Sequence, residues 1–345
     1  MNIVVLCGGL SPERDVSLSG GRMITAALRR LGHRAVLVDM YLGLEGCVCG
    51  LDEAFDLPLP ALGEIGRDDP ELERVRASRS LRSRSLFGAR VLELCAAADL
   101  VFLNLHGRGG EDGRVQAAFD LMGIRYTGSG HLPSALAMDK RLAKLLARSV
   151  GVLTPRWRYY EPGAAANLAA VPTPCVVKPV SSGSSLGVEI VRRREELAGA
   201  FERAARSGGV LIEDYICGRE IQLAVLGGEA LPSIEIRPRS GFYDYRSKYI
   251  PGEAEELSPA PLPPGAEREL ASAALRIYAA LGLSGLARAD FIYDGAGRFW
   301  FLEFNTLPGM TATSLAPQEA AAAGLSYEAL CERIADLAFK EDNTW

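Results

Sequence analysis

Apolar residues in the first forty positions form two short runs separated by an amphipathic stretch. Residues 2–7 are almost wholly apolar, which is typical of a strand buried on both faces. A glycine-containing loop follows at 8–15, and a helical pattern then continues to about Leu31. Residues 34–38 predict a second strand. This β-loop-α-β order predicts the opening of a doubly wound layer with a parallel sheet.

The same alternation recurs farther along the chain. Residues 100–105 predict another buried strand, followed by a glycine-rich loop at 106–113 and a helix at 114–122. Ligands of open α/β sheets bind beyond the carboxyl ends of the strands, where this loop falls. The glycines of the first loop do not have the G-x-G-x-x-G spacing of dinucleotide-binding proteins. Residues 41–90 show no clear period.

After about residue 155 the pattern changes to strands joined by turns. Strands predicted at 174–178 and 188–191 flank a serine- and glycine-rich segment, 179–187. This segment is either a flap whose amides cover phosphate groups or an exposed turn, and it is not a P-loop because its lysine precedes the glycines. A further strand is predicted from 210. The aromatic and basic loop 241–249 has the composition of a functional lid.

The segment 285–305 predicts a β-hairpin with polar side chains inside an otherwise apolar ribbon. The turn is expected between Asp294 and Gly297, where glycine and aspartate are concentrated. Pairing these two residues places Arg288 opposite Glu303, on the same side of the ribbon.

Four polar side chains of this hairpin are therefore expected to converge: Arg288, Asp290, Glu303 and Asn305. Burying such groups without partners costs several kcal/mol, so they either satisfy one another or bind a ligand. Carboxylate and amide oxygens are the ligands that Mg²⁺ prefers when it is shared with substrate phosphates. A structural salt bridge between the arginine and one carboxylate is the alternative, but it leaves the second acid and the asparagine without a role.

Composition restricts the function class. The chain has 345 residues, which suggests two or three domains, and its net charge of −5 argues against nucleic acid as the main partner. One basic run, 74–90, is best interpreted as a solvated surface. The seven cysteines are dispersed, which is typical of a reducing compartment. With no charged leader and no apolar run long enough to span a membrane, a cytoplasmic protein that binds no membrane is expected.

Eight short motifs occur in a fixed order along the chain. They lie at 8–18 (GGLSPERDVSL), 105–113 (LHGRGGEDG), 126–130 (YTGSG), 138–140 (MDK), 178–179 (KP), 183–187 (GSSLG), 242–249 (FYDYRSKY) and 302–310 (LEFNTLPGM). In this order they resemble the D-alanine–D-alanine ligase family of the ATP-grasp superfamily. The resemblance covers nearly the whole chain and is poorest in 41–90.

The resemblance implies an α/β fold with an α+β C-terminal part, in the three-domain ATP-grasp architecture. The expected domains are 1–130, an N-terminal doubly wound parallel-sheet domain that binds substrate; 131–209, a central subdomain with the flap; and 210–345, which holds the metal site and lid. The implied reaction uses ATP to phosphorylate one D-alanine, whose acyl phosphate is attacked by the amine of a second. A homodimer is the family expectation.

The resemblance also implies a role for each matching residue. Catalytic roles fall to Glu13, Ser184, Tyr249, Arg288 and Gly309, and D-alanine binding to Glu13, His106, Arg288, Ser314 and Leu315. ATP is expected to contact Lys140, Lys178, Glu213, Ile216, Glu220 and Lys248, with two Mg²⁺ or Mn²⁺ ions held by Asp290, Glu303 and Asn305. Ser184 and Tyr249 would join Glu13 in a hydrogen-bonded triad that closes the site.

Two alternatives stay open. A ligase that joins D-alanine to D-lactate or D-serine would share the mechanism and differ in its second substrate; Tyr249 favours D-alanine. A nucleotide sensor that binds ATP without ligation belongs to another class. The complete set of metal ligands, together with Arg288, argues against a sensor, which needs no acyl-phosphate chemistry.

Overall fold

The computed structural model describes residues 1–60, 71–80, 82–163, 166–181, 183, 187–238 and 254–340. Three of the predicted site residues, Ser184, Lys248 and Tyr249, lie outside these ranges, as do the predicted lid loop and four of the nine residues of the serine- and glycine-rich segment 179–187. Within the described ranges, no helix combines the length and the apolar character needed to cross a membrane.

The N-terminal part is a parallel sheet of three strands covered on both faces. Its strands are β1 (Asn2–Cys7), β2 (Arg34–Asp39) and β3 (Leu100–Leu103), in the order β2-β1-β3. Its helices are α1 (Arg14–Arg30), α2 (Leu72–Ser78), α3 (Val91–Ala97) and α4 (Arg114–Met122), with a 3₁₀ turn at Glu53–Asp56. Ile3 and Val5 point into one apolar core, and Val4 and Leu6 point into another. This confirms the predicted doubly wound layer, because only a strand buried on both faces needs an unbroken apolar run.

The middle part is an antiparallel sheet in the order β4-β7-β5-β6. Its strands are β4 (Trp157–Tyr160), β5 (Cys175–Pro179), β6 (Glu189–Val191) and β7 (Val210–Asp214), with the helix α7 (Leu197–Ala205) after a 3₁₀ turn at Arg194–Glu196. The strand predicted from 210 therefore belongs to this sheet, which extends across the expected domain boundary at 209/210. β7 pairs with both β4 and β5, so the sheet is complete only after Asp214.

The C-terminal sheet is antiparallel and larger. Its strands are β8 (Gly218–Leu226), β9 (Glu229–Ala230), β10 (Ile234–Pro238), β11 (Ala254–Leu257), β12 (Leu286–Asp294) and β13 (Phe299–Asn305), in the order β11-β10-β8-β12-β13, with β9 beside β8. One face packs against α5 (His131–Met138), α6 (Lys140–Ser149) and α8 (Ala266–Leu281). Residues 131–149 thus pack chiefly against the C-terminal sheet, and α6 also contacts β4 and β7 of the middle sheet.

A helix break within the motif 138–140 separates α5 from α6. Asp139 lies between them in extended conformation, and its carboxylate accepts the Leu142 N–H. A residue whose side chain caps a new helix ends the preceding one, because it leaves helical dihedral angles. Lys140 therefore stands at the first position of α6.

The chain ends by returning to its beginning. The helices α9 (Leu315–Ala322) and α10 (Tyr327–Lys340) cover the second face of the C-terminal sheet, and α10 also packs against α1. Their apolar residues share one core with Ile3, Ile24 and Leu226. The first and last parts of the chain are thereby joined, and the polar face of the hairpin lies close to the loops that follow β1 and β3.

Candidate functional site

The hairpin β12–β13 brings the four predicted polar residues together, but in a different register. Arg288 pairs with Asn305 and Asp290 with Glu303, so the expected pairing of Arg288 with Glu303 is wrong. Two features shift the register by two positions: the turn pairs Asp294 with Arg298 instead of Gly297, and a bulge, where Phe291 pairs with Phe301, leaves one extra residue in β13.

The extra residue is Leu302, and it changes which side chains face the ligand. Phe301 is fully buried in the core, while Leu302 and Glu303 both line a cavity on the other face. Strict alternation would have put Phe301 and Glu303 on the same face. The bulge allows an apolar core residue and a polar site residue to stand two positions apart.

Both predicted metal-binding carboxylates of the hairpin are paired with cations. The Arg288 guanidinium donates to both oxygens of Asp290, with Nε–Oδ1 2.8 Å and Nη2–Oδ2 3.1 Å. Lys140 Nζ lies 2.9 Å from Glu303 Oε2, and Asn305 Oδ1 accepts the Leu307 N–H at 3.0 Å. The salt bridge of the alternative interpretation thus exists, yet a second cation–carboxylate pair stands beside it. Each predicted metal-binding acid is therefore already paired with a positively charged side chain.

A cavity of about 380 Å³ lies between the middle sheet and the C-terminal sheet. Its lining includes these predicted residues: Lys140, Lys178, Glu213, Ile216, Glu220, Asp290 and Glu303. Val176 and Ile190 form one apolar wall, and Ile292 and Leu302 contribute from the facing sheet. An apolar slot with two lysines in its lining suits a flat ring attached to an anionic chain.

A second, smaller cavity of about 70 Å³ adjoins the first and is more polar. It is lined by these predicted residues: Glu13, His106, Lys140, Arg288, Glu303, Asn305 and Gly309. Glu13 stands at the start of α1 and His106 follows β3, so the two loops beyond the parallel strands do reach the site. Lys140 and Glu303 line both cavities, which places the two spaces next to each other.

His106 is held as a neutral acceptor in the small cavity. Its Nδ1 lies 3.1 Å from the Leu307 carbonyl oxygen; a carbonyl can only accept, so Nδ1 carries the proton. Burial lowers the pKa of His106, which favours the neutral ring. Nε2 is buried and has no hydrogen-bond partner among the residues that the structure describes. It is therefore available to accept from a donor on a ligand.

Glu111 is a buried acid of this site that sequence reasoning missed. It lines the small cavity and accepts the Gly107 N–H at 2.5 Å. Burial and the nearby negative charge of Glu13 raise the pKa of Glu111 to about 8. Its position in the glycine-rich loop after β3 was a usable signal, because ligands bind beyond the carboxyl ends of such strands.

Gly309 and Ser314 lie against each other beside the small cavity. A Cβ on residue 309 would stand 2.7 Å from Ser314 Oγ, so any side chain there would displace the Ser314 hydroxyl. Ser314 Oγ accepts the Thr311 N–H at 2.9 Å, which holds the turn before α9. Leu315 packs its side chain against Ile234 and Ile236. Leu315 can therefore contact a ligand only through its backbone.

Glu319 is a second buried acid absent from the predicted site. It lies on α9 with its side chain fully buried, and its Oε1 accepts the Ala224 N–H at 3.0 Å. Its other oxygen has no hydrogen-bond partner within the described part of the chain. Burial raises the pKa of Glu319 to about 8.

We expect Glu319 to make stability fall as the pH rises. A folded-state pKa above that of the unfolded chain means that folding binds a proton, so stability present below the unfolded pKa is lost as the pH rises through about 8. Glu319→Gln cannot ionise. Its melting temperature, measured against the parent at pH 6 and 8.5, should be near the parent's at pH 6 and above it at pH 8.5. A constant difference between the two proteins would contradict this.

Comparison with known proteins gives the same family over both parts of the chain. The family model described as D-ala D-ala ligase N-terminus matches residues 2–129, and that described as D-ala D-ala ligase C-terminus matches 152–336. The chain is 42% identical over 341 residues to a D-alanine–D-alanine ligase of Oleidesulfovibrio alaskensis, covering 98% of this chain and 96% of the relative. A ligase of that name from Nitratidesulfovibrio vulgaris is 41% identical over 340 residues, with 98% of each covered.

Solved structures agree with the fold. The D-alanine–D-alanine ligase of Bacillus anthracis complexed with ATP superposes with a TM-score of 0.76 at 31% identity, covering 99% of this chain and 97% of that one. The VanG D-Ala:D-Ser ligase of Enterococcus faecalis gives a TM-score of 0.74 at 28% identity, covering 97% and 98%.

Proposed function

Since this chain belongs to the D-alanine–D-alanine ligase family, we propose that it joins two D-alanines at the expense of ATP, for peptidoglycan precursor synthesis. The γ-phosphoryl group of ATP passes to the carboxylate of the first D-alanine, which leaves ADP. The amine of the second D-alanine attacks the acyl carbon, and inorganic phosphate departs from the tetrahedral intermediate. The observation that carries this proposal is the adjacency of the two cavities, which share Lys140 and Glu303.

The larger cavity fits the nucleotide. Its apolar walls suit the adenine ring, and the carboxylate of Glu220, which lines the same cavity, is assigned to the ribose. Lys140 and Lys178 supply positive charge for the phosphates, with Lys248 expected from the lid. The Glu213 carboxylate is held by lysine side chains, so adenine recognition falls to backbone groups near the end of β7, including that of Ile216.

Asp290, Glu303 and Asn305 fit divalent metal ions that arrive with the nucleotide. Within the described ranges, no group of three or more histidine, cysteine, aspartate or glutamate side chains is placed to bind a metal ion. Two carboxylates and one amide leave coordination positions for phosphate oxygens, as Mg²⁺ or Mn²⁺ requires when it is shared with a substrate. Such ions would neutralise phosphate charge during transfer.

The smaller cavity fits the first D-alanine. Glu13 provides a negative charge for its ammonium group, and neutral His106 offers Nε2 as a further acceptor. Arg288 and the Gly309 N–H bind the carboxylate and later the tetrahedral oxyanion, where fixed donors stabilise the developing charge. Ser314 and the Leu315 backbone are assigned to the second D-alanine. The expected link from Glu13 to Ser184 and Tyr249 would close this space.

The decisive test is phosphate release that depends on D-alanine. With ATP and Mg²⁺, we expect one phosphate for each D-alanyl-D-alanine measured by mass spectrometry, and none when L-alanine replaces D-alanine. Nucleotide binding without D-alanine-dependent phosphate release would indicate a sensor. If D-lactate or D-serine were preferred in an equal mixture with D-alanine, the product assignment would be wrong.

We also propose a homodimer in the cytoplasm. The apolar side chains of Leu121, Met122 and Leu132 are exposed on the neighbouring helices α4 and α5, with Leu121 92% exposed. Such a patch is typical of an interface between subunits. Light scattering of the parent and of Leu121→Glu would test the dimer. A variant with the same mass as the parent would exclude this patch as the interface between subunits.

The cysteines support the cytoplasmic location. All seven are free, as expected in a reducing compartment.

A further inference from the structure

Lys144 is a buried lysine behind the nucleotide cavity. It lies on α6 with its side chain 0% exposed, and it is not among the residues that line either cavity. Its ammonium donates to Thr154 Oγ1 at 2.6 Å and lies 3.1 Å from Glu213 Oε1. The Trp157 ring centroid is 5.8 Å away. A lysine is rarely buried so completely unless its charge has a partner and a use.

The carboxylate that Lys144 contacts is shared with a lysine of the cavity. Lys178 Nζ lies 2.8 Å from the same oxygen, Glu213 Oε1. The two ammonium groups approach at angles outside ordinary hydrogen-bond geometry, so the attraction is chiefly Coulombic. Two ammonium groups and one carboxylate leave a net positive charge at the cavity wall. Without Lys144, Glu213 and Lys178 would form a neutral pair.

The electrostatics show what this arrangement costs. Burial lowers the pKa of Lys144 to about 8, although the attraction of Glu213 opposes the shift. Burial also raises the pKa of Glu213, but Lys144 and Lys178 outweigh it and keep that pKa below its usual value. Lys144 is thus a buried cation that reduces stability at neutral pH, because the unfolded chain binds its proton more tightly. Packing alone does not explain such a residue.

The contacts of Lys144 also join the two halves of the nucleotide cavity. Thr154 Oγ1 donates in turn to the Phe301 carbonyl oxygen at 2.8 Å, on β13 of the C-terminal sheet. Glu213 and Lys178 belong to β7 and β5 of the middle sheet. One continuous set of polar contacts therefore runs from β13 through α6 to the strands that carry Lys178. These contacts link Lys178 to the hairpin.

We propose that Lys144 is a positioning residue for the nucleotide: it balances Glu213 so that Lys178 keeps its place and its positive charge for the phosphates. This rests on the proposed function, in which the larger cavity binds ATP. Lys144 itself does not touch the nucleotide.

The test is Lys144→Met, which keeps the length of the side chain and removes its charge. The variant should fold, because Glu213 retains Lys178 as its partner. We expect its Kd for Mg-ADP, measured by calorimetry, to rise about tenfold, since one charge-assisted interaction with phosphate is weakened. The KM for ATP should rise with it, while the KM for D-alanine at saturating ATP stays within twofold of the parent.

Two further variants separate positioning from general destabilisation. Thr154→Val removes the hydroxyl contact of Lys144 and should weaken Mg-ADP binding in the same direction, by less. Tyr278→Phe removes a buried hydrogen bond to Gly285 in the apolar core against which α6 packs. Its Kd for Mg-ADP should match the parent's. A folded Lys144→Met that binds Mg-ADP as the parent does would overturn the proposal, as would an equal loss in Tyr278→Phe. Failure of the parent to bind Mg-ADP would instead overturn the proposed function.

Discussion

Glu303→Gln is expected to lower turnover by about a hundredfold or more, because it removes a charge from the group that lines both cavities. The same substitution should change the melting temperature of the ligand-free protein by only a few degrees. The Glu303 side chain is partly exposed, and an amide oxygen can still accept from Lys140, which lies 2.9 Å from the carboxylate. The measurements are kcat in the D-alanine-dependent phosphate assay and thermal unfolding without nucleotide.

Glu229→Gln is the matched control. Glu229 lies on β9 of the same sheet and pairs with Arg333 at the surface, away from both cavities. Its kcat should equal the parent's. Near-normal turnover in Glu303→Gln at saturating Mg²⁺, combined with a large loss of stability, would favour the structural salt-bridge interpretation over the metal site.

Arg288→Met is expected to lower turnover by about a thousandfold, since a fixed donor for the oxyanion is lost. Binding of Mg-ADP should change by no more than a few-fold, because Arg288 lines the smaller cavity and not the larger one. Asp290 loses its cation in this variant and is buried, so some stability will be lost as well. kcat and Mg-ADP affinity are therefore compared at a temperature where the variant is folded.

Arg298→Met controls for the loss of an arginine–aspartate pair in the same hairpin. Arg298 pairs with Asp294 at the turn and lines neither cavity. Its turnover should match the parent's. If Arg288→Met kept its turnover within about tenfold of the parent, its guanidinium would have no role in stabilising the oxyanion.

Two buried polar residues that sequence reasoning missed share one property. Lys144 and Glu319 each have a partner far away in the chain. Glu213, the partner of Lys144, is 69 positions later, and Ala224, the partner of Glu319, is 95 positions earlier. No local pattern distinguishes such a residue from a surface one, because its burial arises only when separate elements meet.

The sequence alone determined the structural elements that depend on features within a few residues of one another. The unbroken apolar run of β1, the end of α1 before Gly32 and the turn after Asp294 were all predicted, because alternation and glycine content act within a few residues. The order of the motifs was sufficient to identify the family, and the resemblance also assigned Glu13, His106 and Arg288 to one site. These residues follow strands or lie on them, and the ends of strands converge.

Only the tertiary structure decided the register of the hairpin, the sheet to which β7 belongs and the partners of the buried charges. Strand pairing is chosen by which side chains reach the core, so the bulge at Leu302 exists because Phe301 and Phe304 are both buried there. Similarly, Glu213 became the shared partner of Lys144 and Lys178 only when α6 packed beside β5 and β7. Such choices depend on contacts between distant segments, which local sequence does not encode.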